Sequence, residues 1–348
     1  MPYYIRKKRK REHIKYSLLL EKDLDRNNFD DITLVHNCLT QVDIDEIDVS
    51  TDLNGVKLNN PIIINAMTGG FYRAKIINGE LAKIARHLGL AMAVGSQKIA
   101  LDDPSIVSSF QIVREINPEG IIFANIGSDA SVDDAIRAVE MIKADALQIH
   151  LNAPQEIVMR EGRKNFKGTL DNIQEIIQNV KVPVIVKEVG FGIAMEEAEI
   201  LVEKGVKIID IGGAGGTNFI AIENKRRSTN ALRSLQSWGI PTPASLIEVV
   251  YRVGNRADII CSGGLRNGLD VAKSLALGAK AAAFAGLFLY ILLKKGPLAL
   301  KKYIIRTIRE LMFTMAMSGV KNLSELRKRP VIIEGKTYNW VKNRGISI

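Results

Sequence analysis

From Pro61 onward the chain alternates short β-rich apolar runs with longer segments whose apolar residues recur at threes and fours. The runs are PIIINAM, LAMAVGS, GIIFANIG, DALQIHLN, PVIVKEVG, VKIIDIGG, ADIICSGG and AKAAAFAG. They have the pattern of buried strands. The segments between them, among them NGELAKIARHLG, SVDDAIRAVEMIK, AMEEAEILVEKG and GLDVAKSLALG, have that of amphipathic helices whose ends carry Ser, Asn or Gly signals. The two alternate at intervals of roughly 25 to 35 residues, the spacing of repeated strand–helix units.

Eight such units in about 225 residues predict an α/β chain folded as a (β/α)8 TIM barrel rather than an open doubly wound sheet. Residues 1–60 are then an N-terminal extension, 61–286 the barrel, and 287–348 the last barrel helix with a C-terminal extension, all in one domain. Nearly every run ends in Gly, Ser, Asn, Thr or a charged residue, at the strand ends where barrels keep their active sites. In DALQIHLN a period of two sends Leu147, Ile149 and Leu151 to one face and Gln148, His150 and Asn152 to the other. Gln155 and Glu156 follow just past the strand.

Composition narrows the setting. With 348 residues, 47% hydrophobic and 25% charged, the chain has the makeup of a globular protein with a sizeable core. Cys38 and Cys261 are far apart and without metal-ligand spacing, so no disulfide and a cytoplasmic location are expected. The N-terminus lacks the order of a secretory signal. The most apolar region, Ala281 to Leu293, is shorter than the roughly 20 residues a membrane span needs, and reads as a strand running into a helix. The net charge of +10, densest from Arg6 to Arg11, suits an anionic partner. Nucleic acid, a membrane surface and a phosphorylated small molecule all fit that charge, as does a simple solvated arm.

The seventh run opens into CSGGLRNGLD, where Gly263 and Gly264 permit either a tight turn or close approach of backbone N–H groups to an anion. Barrels commonly bind phosphate there. IGGAGGTNF, after the sixth run, adds a second glycine-dense loop with Thr217, and two such loops on adjacent strands argue for a phosphorylated ligand. Thr68, Ser96, Gln97, Asn125 and Lys187 sit at other strand ends, a ring that suits a planar heterocycle such as a flavin. Each could instead satisfy a nearby loop, and Lys187 could pair with Glu188 or another carboxylate. Glu156 beside Gln155 and Asn152 is too little for a closed metal cage but enough for a magnesium ion that also takes substrate phosphate oxygens. His150 could equally be a hydrogen-bonded core histidine.

Taken together, RKREHI (9–14), NAMTGG (65–70), VGSQK (94–98), HLNAPQE (150–156), VKEVGFGI (186–193), GGAGGTNF (212–219) and SGGLRNGLD (262–270) resemble type 2 isopentenyl diphosphate isomerase across almost the whole chain. The basic arm ending in EHI together with HLNAPQE is the most specific part. The resemblance implies an enzyme that interconverts isopentenyl and dimethylallyl diphosphate for isoprenoid synthesis, using Mg2+ and reduced FMN, with NADPH as the reductant. It implies that Ala66, Met67, Thr68, Ser96, Asn125, Lys187, Thr217, Gly264, Leu265, Arg266, Ala285 and Gly286 hold FMN. Arg9, Lys10, Ser96, Gln97, Lys98 and Gln155 would contact substrate, Glu156 would bind the metal, and Gln155, His150 and Asn152 would serve catalysis. It further implies a homotetramer or homo-octamer. The chain departs from the family pattern at Gly212 and Ala214, where Ser and Gln are usual, at Lys98 in place of a common Arg, and at Phe219 in place of a frequent Trp.

Moving a double bond by proton transfer is hard because an alkene is a poor base and an allylic C–H a poor acid. Positioned acid–base groups supply roughly 10²–10⁴-fold, so a cofactor must share the barrier. The basic arm reads as a lid closing on the diphosphate. Two other barrel enzymes are rival readings, of which only the first, an FMN-dependent one, would share the cofactor sites. A 2-hydroxy-acid oxidoreductase calls for a late His–Arg pair, yet His13, His36, His87 and His150 all precede the second half of the chain. A nucleotide dehydrogenase calls for a cysteine after the sixth strand, where GGAGGTN has none. A nucleic-acid-binding barrel has only the arm in its favour, without interleaved aromatic residues, so no nucleic-acid or membrane partner is expected.

Overall fold

The computed structural model of the chain describes residues 3–20, 29–227 and 229–347. It opens with helix α1 (Tyr3–Leu20), where the arm was expected, and the side chains described there begin at Lys8. Strand β1 (Ile32–Leu34) and the hairpin β2 (Thr51–Leu53) and β3 (Val56–Leu58) follow. Asn54 and Gly55 turn that hairpin with φ of 47° and 92°, the left-handed pair that a two-residue loop between twisted strands requires.

All eight apolar runs then form strands of one closed parallel barrel: β4 (Ile62–Ile64), β5 (Ala91–Ala93), β6 (Ile122–Gly127), β7 (Ala146–Leu151), β8 (Val184–Glu188), β9 (Ile208–Asp210), β10 (Asp258–Ser262) and β11 (Ala281–Phe284). The helices between them are α2 (Tyr72–Leu88), α3 (Lys98–Asp102), α4 (Ser108–Ile116), α5 (Val132–Ile142), α6 (Ala153–Val158), α7 (Thr169–Asn179), α8 (Met195–Glu203), α9 (Phe219–Arg226), α10 (Thr242–Val253) and α11 (Gly268–Ala276). Their ends carry the stop and start chemistry read from the sequence. Ser131 and Asp134 form a reciprocal capping box on α5, and Gly89 closes α2 at φ 64°. Helices α12 (Gly286–Lys295) and α13 (Pro297–Met317) complete the ring, and α14 (Leu323–Leu326), β12 (Val331–Ile333) and α15 (Gly335–Asn343) end the chain. Strand β12 pairs antiparallel with β1, tying the two extensions together, a contact the apolar pattern did not announce.

Strand parity decides what lies inside. Leu147 and Ile149 pack outward beneath the helices. The lower interior is apolar, filled by Ile63, Ala93, Phe123, Ile185, Ile208 and Ile260, with Leu53, Val56 and Leu58 of the hairpin plugging its floor. Above that layer the inward positions turn polar. The register sets Asn125 against Gln148, His150 against Lys187, and Lys187 against Asp210 on neighbouring strands, so these side chains meet at one height. No helix among the described residues is long and apolar enough to cross a membrane.

Candidate active site

A cavity of about 540 Å³ opens at the C-terminal ends of the strands, within the ~300–1,000 Å³ span of small-molecule sites. Its floor is the polar layer. Asp210, fully buried, accepts hydrogen bonds from the Ser262 hydroxyl and from Asn65 Nδ2 at 2.8 Å, and Lys187 Nζ lies 3.6 Å from its Oδ2. Lys187 thus pairs with Asp210 and, among the described residues, gives its hydrogen bond to the backbone carbonyl of Glu188, at 2.7 Å. The Glu188 carboxylate instead accepts from the N–H groups of Gly190 and Phe191 at 2.6 and 2.5 Å, and burial pushes it up to about 7. That carboxyl, titrating near neutrality in the cavity wall, escaped the sequence reading, in which Glu188 was only a partner for Lys187.

On one side the walls offer a phosphate cradle. Ser262, Gly263, Gly264, Leu265 and Arg266 line the cavity at the end of β10, and Thr217 faces them from the loop after β9. A Cβ on Gly216 would come within 2.8 Å of the Gly264 nitrogen, so only a glycine lets the two loops approach this closely. Helix α12 begins at the same rim. Its N-cap, Ala285, makes no side-chain capping bond, which leaves first-turn amides at Gly286 and Leu287 available to an anion. Deeper in, Thr68 Oγ1 is buried without a hydrogen-bond partner among the described residues, a donor and acceptor waiting for a ligand atom. The orphaned hydroxyl, the Lys187 ammonium and the glycine cradle fit a phosphorylated flavin. Gly212 sits at φ 50°, and a Cβ there would collide with the Glu188 carbonyl, so in this backbone that position cannot supply a side-chain contact.

Helix α1 roofs the cavity, in contact with α9, α12 and α3. Lys10 donates to the carbonyls of Gly69 and Ser96 at 3.0 and 2.9 Å, and Arg9 lies over Met159 with Glu156 and Glu161 close enough to oppose the burial that lowers its pKa. The helix is latched by charges on α9: Arg226 meets Glu12 at 2.9 Å and Glu161 and Glu223 at 2.6 Å each, while His13 Nε2 lies 2.8 Å from Glu223. No motif marked Glu12, His13, Glu223 and Arg226 as a group, because they lie on separate segments. Removing residues 1–14 is expected to raise the KM for substrate while leaving the thermal unfolding of the barrel in place, read by steady-state kinetics and calorimetry. A truncated chain with unchanged KM would reject the roof as part of the site.

Glu156 on α6 faces the same space, its Oε2 held by the Arg163 N–H at 2.7 Å and its Oε1 by Asn152 Nδ2 at 3.3 Å. Among the described residues no three His, Cys, Asp or Glu side chains form a metal cluster, so a cation here would depend on Glu156 plus water and ligand oxygens. Gln155 and Asn152 also line the cavity, as do Ala66, Met67, Ser96, Lys98 and Asn125. Lys98 lends its charge to Asp134 at 2.6 Å. Gln97 differs from expectation. Its side chain turns into the wall, donating to Ala138 O and accepting from Asn125 N–H, because its neighbour Ser96 takes the cavity-facing position. Asn125 shares its amide with Gln148 and His150, which leaves one of its N–H hydrogens for a cofactor.

His150 is neutral near pH 7, its pKa lowered to about 4 by burial and by Lys187. Folding therefore opposes its protonation. Stability from this group is complete above about 6.5 and is lost as pH falls toward 4, on the order of 3 kcal/mol. Glu188 acts in the opposite sense, since a carboxyl raised to about 7 loses stability as pH rises from about 4.5 to 7. The His150→Gln variant should accordingly gain stability relative to wild type as pH drops from 7 to 5. Urea titrations at both pH values will show parallel losses if His150 is not the group responsible.

The family of FMN-dependent dehydrogenases matches residues 138–333. Over 98% of the chain, the sequence is 50% identical to an isopentenyl-diphosphate delta-isomerase of Geobacillus sp. (strain WCH70), covering 97% of that protein. It is 48% identical to the isopentenyl-diphosphate delta-isomerase of Bacillus licheniformis, again over 98% of this chain and 97% of the relative. A solved flavocytochrome b2 variant with pyruvate bound shares the fold, with a TM-score of 0.70 and 21% identity over 94% of this chain and 82% of its own. Full-length likeness at these identities, on a barrel whose mouth carries a glycine-rich cradle under a cationic roof, places the chain in the isopentenyl-diphosphate delta-isomerase family, of the FMN-dependent type 2 form.

Proposed function

We propose that this isomerase grips a prenyl diphosphate between helix α1 and the barrel mouth, directly over the FMN pocket, and moves its double bond there. The observation that carries the reading is that Arg9, Lys10, Glu156, His150, Lys187 and the Gly263–Gly264 turn, read from distant parts of the sequence, line a single cavity. Reduced FMN, when bound, supplies an exchangeable ring proton and an electron-rich face to the alkene. The chain does the rest. Lys187 and Thr68 hold the ring system, the loops at Gly216 and Gly264 with the start of α12 take its phosphate, and Arg9 and Lys10 neutralise the substrate diphosphate. Binding the remote diphosphate fixes the alkene in a reactive pose and excludes water under the roof.

Glu156 would hold Mg2+ against the diphosphate oxygens, and Gln155 would meet the substrate beside it. His150 and Asn152 orient the diphosphate or position the reacting end. NADPH is the proposed reductant of the flavin. The exposed apolar residues Leu298, Phe313 and Met317 on α13 and Tyr72 and Ile76 on α2, a helix in contact with it, support burial between copies in a homotetramer or homo-octamer, and light scattering after size exclusion will read the mass. Cytoplasmic location belongs to the same proposal, supported by two free cysteines.

A 2-hydroxy-acid oxidoreductase would use the same cofactor walls, but no histidine follows His150 to make its proton-accepting pair. The deciding assay supplies reduced FMN and isopentenyl diphosphate, with and without Mg2+, and follows dimethylallyl diphosphate. Consumption of a 2-hydroxy acid with no isomerisation would replace this reading with the oxidase one.

A further inference from the structure

The polar layer under the cavity is a directed chain of hydrogen bonds, and its direction can be deduced group by group. Asp210 is an acceptor at every contact: the Ser262 hydroxyl and the Gly212 N–H point at it, and the Lys187 ammonium lies beside it. Asn65 must therefore turn its NH2 to Asp210, at 2.8 Å. Its other end agrees with that orientation, because Asn65 Oδ1 accepts the Ala66 backbone N–H at 2.8 Å, and the carboxylate and the N–H hold the amide together. The same Oδ1 takes Gln148 Nε2 at 3.0 Å, so Gln148 presents its oxygen onward, and Asn125 Nδ2 donates to that oxygen at 2.9 Å. Asn125 is left with Oδ1 facing His150 Nδ1, at 2.9 Å. Reversing any one amide would set two buried acceptors or two buried donors against each other. A carbonyl oxygen can only accept, so Nδ1 of His150 carries the hydrogen.

We propose that Asp210 is a positioning residue that, through Asn65, Gln148 and Asn125, locks His150 in the Nδ1–H tautomer with the Nε2 lone pair toward the cavity. The logic is that of a carboxylate holding an imidazole in one tautomer, with three amides inserted between them. On that side of the ring, Nε2 is 3.5 Å from where a Cβ on Gly127 would stand, and Asp129 Oδ1 is 2.6 Å from the same point, so the carboxylate is the near acceptor that an Nε2–H tautomer would have to use. The charged groups around the ring are Lys187, Asp129, Lys10 and Arg9, and burial with the three cations outweighs Asp129 to keep the imidazole neutral. A bare Nε2 repels phosphate oxygens. Of the two roles open to His150 in the isomerase reading, on which this step rests, the chain of amides selects the one at the reacting end, where the ring accepts a hydrogen bond from a bound donor.

The test is 15N NMR of histidine-labelled, FMN-loaded protein at pH 7 without substrate, with the His150 signals identified by their loss in His150→Gln. The expected spectrum shows a protonated Nδ1 and an unprotonated Nε2. An Nε2–H tautomer, an imidazolium or an averaged mixture overturns the proposal. Asp210→Asn, whose amide can face either way, should convert the signal into a tautomer mixture and lower kcat about 10–100-fold with little change in KM. If that variant does not fold, Asn125→Leu cuts the same chain next to His150 and should release the tautomer equally. A folded Asp210→Asn protein that keeps a pure Nδ1–H signal removes Asp210 from the role. The NMR needs no turnover, so failure of the isomerase assay and failure of the tautomer lock are separate results.

Discussion

Replacing Lys187 by methionine is expected to cost the protein both its flavin and about 3–5 kcal/mol of stability, the penalty for stranding one member of a buried ion pair. Asp210 is wholly enclosed and Lys187 nearly so, with 3.6 Å between ammonium and carboxylate. Without the ammonium, the carboxylate keeps Asn65 and Ser262 but has no countercharge in a layer from which water is excluded. The same ammonium lines the cavity at the proposed flavin ring. The two losses can be told apart. Adding Asp210→Asn to Lys187→Met removes the stranded charge and should restore most of the stability in urea, while the yellow flavin absorbance stays absent. A single variant that is both yellow and as stable as wild type would show that Lys187 serves neither purpose.

Glu156→Gln should lower Mg2+-dependent turnover by at least about 100-fold, since even changes one shell away from a metal typically cost 10–100-fold. The substitution keeps the side chain's length and an oxygen for the Arg163 N–H, so α6 and its loop should hold their shape. What it removes is the negative charge that a hard cation needs. Because the groups that hold Glu156, Asn152 and the Arg163 N–H, are not those of the cradle at Gly264 and Ala285, the flavin spectrum should be unaltered. The measurement is initial rate against Mg2+ concentration with reduced FMN at saturation. A variant with wild-type rate and metal dependence would take Glu156 out of the reaction.

Much of the architecture could be read from local patterns. Each of the eight apolar runs became a barrel strand, and Ser131 and Gly89 act where helix-cap chemistry placed them. Such features depend on a few neighbouring residues and on backbone preference, so they survive translation from sequence to coordinates. The latch at Arg226 and the wall position of Gln97 did not, because each is decided by groups from other segments. Which carboxylate pairs with Lys187, Glu188 or another, stays open in the sequence for the same reason. Glu188 is adjacent in sequence, yet in a strand adjacent residues point to opposite faces, and the register with β9 brings Asp210 instead.

By itself the sequence determined the strand–helix alternation, the faces that strand parity turns inward, and the chemical types gathered at the strand ends. Those are consequences of period and residue type, which require no knowledge of distant partners. Only the closed barrel decided which of these groups share a height and a direction: that Asp210 neutralises Lys187, that burial lifts Glu188 to about 7 and drops His150 to about 4, and that a run of amides has one permitted orientation. The reason is that register and desolvation are properties of neighbouring strands acting together, and a polar group's behaviour in a dry interior is set by what it faces.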